Sequence, residues 1–409
     1  MKKVYILLFM MFILSGCIAF ENNESLMKPP KPVSKINTVI QSFLPSDASI
    51  IKATTGNYVN SYSLIDLDED GLFELVVFYT VQKEASVQGM VLKEEDGEWD
   101  IVQTFEGDGN ALYELDFIDV TNDGILDIIA GFSFSDAYEV RGLVMYQYDG
   151  YKIKRNFYTS YTYKVIDDVN EDGVKDITII LLDENHISNK VTVFNYVNLE
   201  MKLVDSLTLK PNMIEYYNIT SGLVSLEQEK GIVLDAVSET QTAYTNILLF
   251  DGSNLKSVFN GEQEINDKLY RLNSEDINHD GIIEIGIPRV PVGYEDTDDR
   301  YIPYIDSYYR WDGDKGIQFV SERYINYAYD YRYELPWIPE NVTIESDLDY
   351  KEIQFISTAD QSLLFDIYVI PIEKGDQLEG KIVLARKGNY VYCTTVNDKT
   401  LQRRFQLLY

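Results

Sequence analysis

Asp66-Leu67-Asp68-Glu69-Asp70-Gly71-Leu72-Phe73-Glu74 runs straight into the β-prone stretch Leu75-Val76-Val77-Phe78-Tyr79. The same phrase returns three times. Asp119-Val120-Thr121-Asn122-Asp123-Gly124-Ile125-Leu126-Asp127 leads into Ile128-Ile129-Ala130, Asp168-Val169-Asn170-Glu171-Asp172-Gly173-Val174-Lys175-Asp176 into Ile177-Thr178-Ile179-Ile180, and Asp276-Ile277-Asn278-His279-Asp280-Gly281-Ile282-Ile283-Glu284 into Ile285-Gly286-Ile287. The pattern is D-x-[DNT]-x-D-G-x-x-[DE] followed by a strand, a repeat signature. Successive first aspartates are 53, 49 and 108 residues apart. The last interval is twice 54, so one repeat has lost its loop. Leu226-Glu227-Gln228-Glu229-Lys230-Gly231-Ile232 stands near the missing place, keeping a Gly but putting Leu, Gln and Lys where ligands belong.

A second signal keeps phase with the first. Asp96-Gly97, Asp149-Gly150, Asp251-Gly252 and Asp312-Gly313 mostly follow β-rich runs, and Asn198 fills the corresponding place in the third unit. Asp-Gly between such runs predicts hairpins, because both central residues of a type I′ turn need φ > 0. Five units of ~50 residues therefore run from about Tyr58 to about Ser321. Short strands, tight turns and tandem repetition predict an all-β fold, a β-propeller of four-stranded blades. Strands apolar on both faces, such as Leu75-Val76-Val77-Phe78, suit blades covered on both sides. A parallel β-solenoid is the competing repeat fold, and the regular hairpins favour the propeller.

Oxygen-bearing side chains at positions 1, 3 and 5, a Gly at 6 and a carboxylate at 9 describe a cation cage. Crowded like charges repel, and a hard dication with oxygen ligands relieves the repulsion. The expected ligands are Asp66, Asp68, Asp70 and Glu74; Asp119, Thr121, Asp123 and Asp127; Asp168, Asn170, Asp172 and Asp176; and Asp276, Asn278, Asp280 and Glu284. Up to four Ca²⁺ ions are expected, with a structural role. Ca²⁺ is favoured over Mg²⁺ because the ligands are numerous and flexible. The loops are not EF-hands, since position 12 is Val77, Ala130, Ile179 or Ile287 rather than a bidentate Glu. His279 falls at a non-ligand position.

The four loops resemble the FG-GAP or VCBS repeats of integrin-α-type β-propellers, also found in bacterial surface lipoproteins. The resemblance covers residues 58 to 321. It departs from the pattern in the fourth unit and at Thr121, keeps the phenylalanyl-glycyl half of the motif poorly, and shows fewer units than the seven blades of the integrin-type ring. It implies a calcium-clipped propeller on a cell surface.

The N-terminus supports export. Met1-Lys2-Lys3, an apolar run from Val4 to Leu14, and Ser15-Gly16-Cys17 read as a secretory leader. Leu14-Ser15-Gly16-Cys17 resembles a bacterial lipobox, which implies a leader over 1–16 and acylation of Cys17. Residues 17–35, with Lys28-Pro29-Pro30-Lys31-Pro32, then form a polar tether. The expected location is the extracytoplasmic side of a bacterial membrane, anchored through lipid. With Cys17 lipidated, Cys393 has no disulfide partner and is read as a small buried residue. A short helix is expected over 36–44. The propeller is placed at 36–335 and a small α+β domain at 336–409, with extra blade strands and a closing helix as the alternative; Leu401, Phe405 and Leu408 follow helical spacing.

Charge and motifs bound the function. Lys and Arg number 35 and Asp and Glu 67, for a net charge of −32. Such a field repels phosphate backbones, so no nucleic-acid partner is expected. Two histidines in the whole chain disfavour His-dependent catalysis, and no G-x-S-x-G, H-E-x-x-H or P-loop is present. Tyr327, Tyr329, Tyr331 and Tyr333 alternate, which in a strand puts four rings on one face. They read either as a packed aromatic ladder or as a platform for sugar or protein. The expectation is a non-catalytic module that binds a protein or glycan. The alternative is an envelope polysaccharide-active enzyme using carboxylates on the propeller face.

Overall fold

Short antiparallel strands dominate the computed structural model, which describes residues 33–82, 86–134, 139–182, 189–209, 213–240, 242–259, 267–314 and 316–408. The leader, Cys17 and nearly all of the tether lie outside these residues. The chain divides into two compact units between Ser160 and Tyr161.

In the first unit, helix α1 (Val33–Phe43) precedes two sheets. Sheet one holds β1 (Ala48–Ile51), β2 (Ser63–Ile65), β3 (Glu74–Val81), β4 (Gln88–Glu95) and β5 (Glu98–Glu106), in the order β1-β3-β4-β5 with β2 also on β3. Sheet two is the meander β6 (Ala111–Ile118), β7 (Asp127–Ser133), β8 (Arg141–Tyr148) and β9 (Ile153–Tyr161).

The doubly apolar β3 now has its explanation. Alternate residues of a strand face opposite sides. Val76 and Phe78 pack with Phe105, Ile128, Phe132 and Tyr146 between the two sheets. Leu75, Val77 and Tyr79 pack under α1, against Ile36 and Ile40. These two isoleucines, four apart, form the helix's apolar stripe. α1 thus covers the face of sheet one that no other sheet of this unit covers.

The second unit stacks four sheets. Sheet three is β10 (Tyr163–Asp167), β11 (Asp176–Leu182), β12 (Asn189–Val197) and β13 (Glu200–Leu209). Sheet four is β14 (Met213–Leu223), β15 (Lys230–Ser238), β16 (Ala243–Phe250) and β17 (Leu255–Ser257), with β18 (Asp267–Lys268) also on β16. Sheet five contains β19 (Ile285–Arg289), β20 (Ile305–Trp311), β21 (Ile317–Asn326) and β22 (Tyr331–Leu335). Sheet six is built from β23 (Val342–Ser346), β24 (Glu352–Ser357), β25 (Leu363–Pro371), β26 (Ile382–Lys387) and β27 (Tyr390–Thr394). A final strand, β28 (Phe405–Leu407), pairs with β22 on the edge of sheet five. β15 shows the logic of the stack: Ile232, Leu234 and Ala236 join the core shared with sheet three, and Val233 the core shared with sheet five.

Several local expectations meet a different structure. Both central residues have positive φ at Asp96-Gly97 (53° and 87°) and at Asn198-Leu199 (56° and 66°), as a type I′ hairpin requires. At the other Asp-Gly pairs only the glycine does. There the aspartate carboxylate closes a longer loop: Asp149 accepts from the N–H of Tyr151 and Lys152, Asp251 from Ser253 and Asn254, Asp312 from Asp314 and Gly316. Gly231 is not the loop glycine of a decayed repeat. It lies inside β15 opposite Leu249, so the fourth loop is shortened rather than merely substituted.

The region 336–409, expected as an α+β domain, is chiefly sheet six, and it shares one core with sheet five. Tyr324, Tyr331 and Tyr333 pack there with Phe355, Phe365 and Tyr392. Its α-helix, α2 (Lys399–Gln402), is a single turn capped by Asp398. Phe405 then buries from β28 rather than from a longer helix. Three apolar residues are too few to tell a helix from a turn followed by a strand.

Candidate metal centres and an aromatic hollow

The four acidic loops have one conformation. Position four is left-handed in each, at Glu69 (φ 56°), Asn122 (54°), Glu171 (58°) and His279 (62°), and the glycine at position six has φ of 84° to 88°. A Cβ on Gly71, Gly124, Gly173 or Gly281 would touch nothing within 4 Å, so φ and not space calls for glycine.

Carboxylate-to-backbone bonds wind each loop. Position one accepts from the glycine N–H: Asp66 at 3.0 Å, and Asp119, Asp168 and Asp276 at 2.9 Å. Position five accepts from the N–H two residues on, at 2.8 to 3.0 Å. Position nine reaches back to the N–H of position two: Glu74 to Leu67, Asp127 to Val120, Asp176 to Val169 and Glu284 to Ile277. All four position-nine side chains are buried. Burial, with nearby carboxylates adding to it, pushes Asp127 and Asp176 each up to about 7. The first strand residue after each loop is paired one position beyond, so the register also fixes what faces position nine.

That facing residue is what sequence reasoning missed. Leu75 pairs with Leu92, Ile128 with Tyr146, Ile177 with Phe194 and Ile285 with Tyr309. The next residue on the partner strand is Lys93, Gln147, Asn195 or Arg310. Lys93 Nζ lies 3.0 Å from Asp68, 2.9 Å from Asp70 and 3.3 Å from Glu74. Burial opposes its charge, but these carboxylates outweigh burial and raise its pKa. Arg310 reaches Asp280 at 2.5 Å and Glu284 at 2.8 Å. Gln147 donates to Asp123 at 3.1 Å. Asn195 Oδ1 is buried with no hydrogen-bond partner, as is Asp176 Oδ1. Each of the four stands two or three residues before its hairpin turn, a spacing visible in the sequence.

The donor set fits a hard cation. Every loop offers carboxylates with a second oxygen, and Asp66, Asp68 and Glu74 bring oxygens within 4.8 Å of one another. Buried oxygens without a hydrogen-bond partner occur at Asp66, Asp68, Thr121 and Asp176; Glu74 Oε1 accepts no hydrogen bond but pairs with Lys93. No sulfur or imidazole joins them, which suits Ca²⁺ or Mg²⁺ rather than a softer ion.

The second unit also holds a hollow of about 380 Å³. Tyr270, Tyr304, Tyr324, Tyr327 and Tyr350 line it, around Asp306. The alternating tyrosines therefore divide. Tyr331 and Tyr333 are fully buried, Tyr333 stacking on Phe365 at 4.7 Å, whereas Tyr327 is 76% exposed in the turn before β22. Asp306 is buried, and both its oxygens are held: Oδ1 accepts from Tyr270 Oη at 2.5 Å and Oδ2 from Arg323 Nε at 3.4 Å. Burial raises its pKa, against the pull of these partners. Arg323 also donates to Glu275 at 2.9 Å, so one guanidinium serves both acids. Cys393 is buried and its Sγ faces the Tyr368 carbonyl at 3.7 Å; burial pushes the thiol up, away from the reactive thiolate.

No family model matches the chain. No curated protein matches it either. Solved structures that resemble it include a protein from Lactobacillus plantarum, 8% identical over 74% of this chain and 82% of that one, with a TM-score of 0.31. Rhamnogalacturonan lyase YesW is 10% identical over 79% and 71%, with a TM-score of 0.35. Sqt1 of Saccharomyces cerevisiae is 8% identical over 78% and 82%, with a TM-score of 0.31. Likeness at this level decides nothing about function.

Proposed function

We propose that this chain is an extracytoplasmic, lipid-anchored β-propeller module of FG-GAP/VCBS type, stabilised by Ca²⁺, that binds a glycan without transforming it. The sheets serve as blades, with the acidic loops clipping one strand of a blade to the next. The lipid on Cys17 supplies the anchor; among the described residues no helix is long and apolar enough to cross a membrane. The observation that carries the binding role is the tyrosine-lined hollow. Tyrosine faces stack on the C–H faces of sugar rings, and their hydroxyls hydrogen-bond at the edge. A net charge of −32 disfavours acidic polysaccharide, so the ligand is a neutral sugar chain.

A catalytic reading would need a free carboxylate pair beside the substrate. The acid in the hollow has both oxygens occupied and shares Arg323 with Glu275. Binding therefore suits the geometry better than glycoside cleavage. The test is titration of the full chain with a panel of neutral oligosaccharides. Tyr327→Ala should weaken binding at least ~10-fold, because this exposed ring supports no core. Its melting temperature should stay unchanged. Equal affinity in the variant, or no binding by any neutral oligosaccharide, would contradict the proposal.

A further inference from the structure

The four loops fall into two kinds at two coupled positions. Loops 66–74 and 276–284 end in Glu and face a cationic side chain, Lys93 or Arg310. Loops 119–127 and 168–176 end in Asp and face a neutral amide, Gln147 or Asn195. We propose that the chain takes up two dications rather than four, one in loop 119–127 and one in loop 168–176, while Lys93 and Arg310 occupy the cation's role in the other two. This rests on the reading of the loops as cation cages and divides them.

Part of the negative charge of the first kind is met from within. Lys93 Nζ is within ion-pair distance of three carboxylates of its loop, and Arg310 Nη2 of two. Oxygens of Asp66, Asp68 and Glu74 do converge, and Asp66 Oδ1 and Asp68 Oδ1 are buried without a hydrogen-bond partner, but they lie around an ammonium that already touches two of these three residues. A dication entering there would face a fixed positive charge at close range, in a partly buried place where screening is weak. It would have to displace a side chain whose partners cannot be replaced by water without cost.

The second kind lacks that compensation. Asp176 is 1% exposed, and its Oδ2 accepts from Val169 while Oδ1 has no hydrogen-bond partner. Across the strand pair, Asn195 presents a second buried oxygen without a donor. In loop 119–127 the Thr121 side chain, 8% exposed, leaves its hydroxyl unpartnered. Buried oxygens without donors are costly, and nothing cationic from the protein reaches either Asp176 or Asn195 in the described contacts. An oxygen-seeking cation satisfies them together. Asn195 is suited to the task, since an amide oxygen can ligate Ca²⁺ whereas an ammonium or guanidinium cannot; Gln147 turns its amide nitrogen to Asp123 and its oxygen to Asn156, so at loop 119–127 it brings no ligand but also no charge that opposes a cation.

The experiment is an ion count. The full chain is stripped with chelator and dialysed against Ca²⁺, and bound ions per chain are measured. Wild type should hold two. Asp127→Asn and Asp176→Asn should each remove one. Lys93→Gln and Arg310→Gln should each add one, because each exchanges a resident cation for an amide ligand. A wild-type count of one, three or four, or no gain in a folded Lys93→Gln or Arg310→Gln variant, would overturn the division. A count of zero would instead overturn the cage reading on which the division rests. If the variants do not fold, the wild-type count alone decides.

Discussion

Lys268 and Asp235 form an ion pair at 2.7 Å with both side chains fully buried. Thr245, Ser274 and Asn218 satisfy the rest of the carboxylate, and the Leu272 carbonyl accepts a second bond from the ammonium. Sheet four tolerates the charges only because every one is partnered. Lys268→Met is therefore predicted to destabilise the second unit by about 3–5 kcal/mol, since it strands a buried carboxylate. Urea unfolding checks this, and adding Asp235→Asn to that variant should recover part of the loss. No loss in the single variant would contradict the need for this pairing. Another residue-scale prediction concerns Gly173, whose φ is 87°. Gly173→Ala should cost about 1 kcal/mol through backbone strain alone, because no atom crowds the site.

At the scale of elements, α1 acts as a cover for sheet one. Ile40 is fully buried against Leu75, Val77 and Met90. Ile40→Ala is predicted to cost about 2–5 kcal/mol, the range for a truncated core side chain. A loss below about 0.5 kcal/mol, the scale of surface substitutions, would show that the helix does not close this face. The loops are the other defining element, and their sharp turn at the glycine and clustered carboxylates were legible. The left-handed position four and the carboxylate-to-backbone bonds were not, since position four is Glu, Asn, Glu or His and no spacing marks it. Legibility ended where the neighbours of a loop come from another strand. Lys93 and Arg310 sit 19 and 26 residues from position nine, and only the strand register brings them together. The fourth repeat misled for the same reason: Gly231 matches the motif in sequence, yet register places it within β15.

On the scale of the whole chain, composition and repetition read out the all-β class and the sheet-per-repeat plan. They did not read out the end. Sheet six has no D-x-x-x-D-G loop, yet it belongs to the same stack, because Tyr331 and Tyr333 bury toward Phe355, Phe365 and Tyr392. A repeat motif marks where a loop is needed, while packing requires only apolar strands, so the fold extends past its motif. The alternating tyrosines were ambiguous on similar grounds. Alternation does not say where β22 begins, and it is that boundary which puts Tyr331 inside and Tyr327 at the hollow. Burial of charge also links the ions to stability. At Ca²⁺ about twenty times Kd, each occupied loop adds roughly 1.8 kcal/mol. With one such loop in each unit, a rise of about 5 °C in each is expected.

The most direct test of the account is thermal unfolding of the chain in Ca²⁺, in Mg²⁺ and in chelator. The account predicts a midpoint that is lowest in chelator and rises selectively with Ca²⁺. An unchanged midpoint between Ca²⁺ and chelator, with no ion bound, would contradict it and leave the acidic loops as self-sufficient turns.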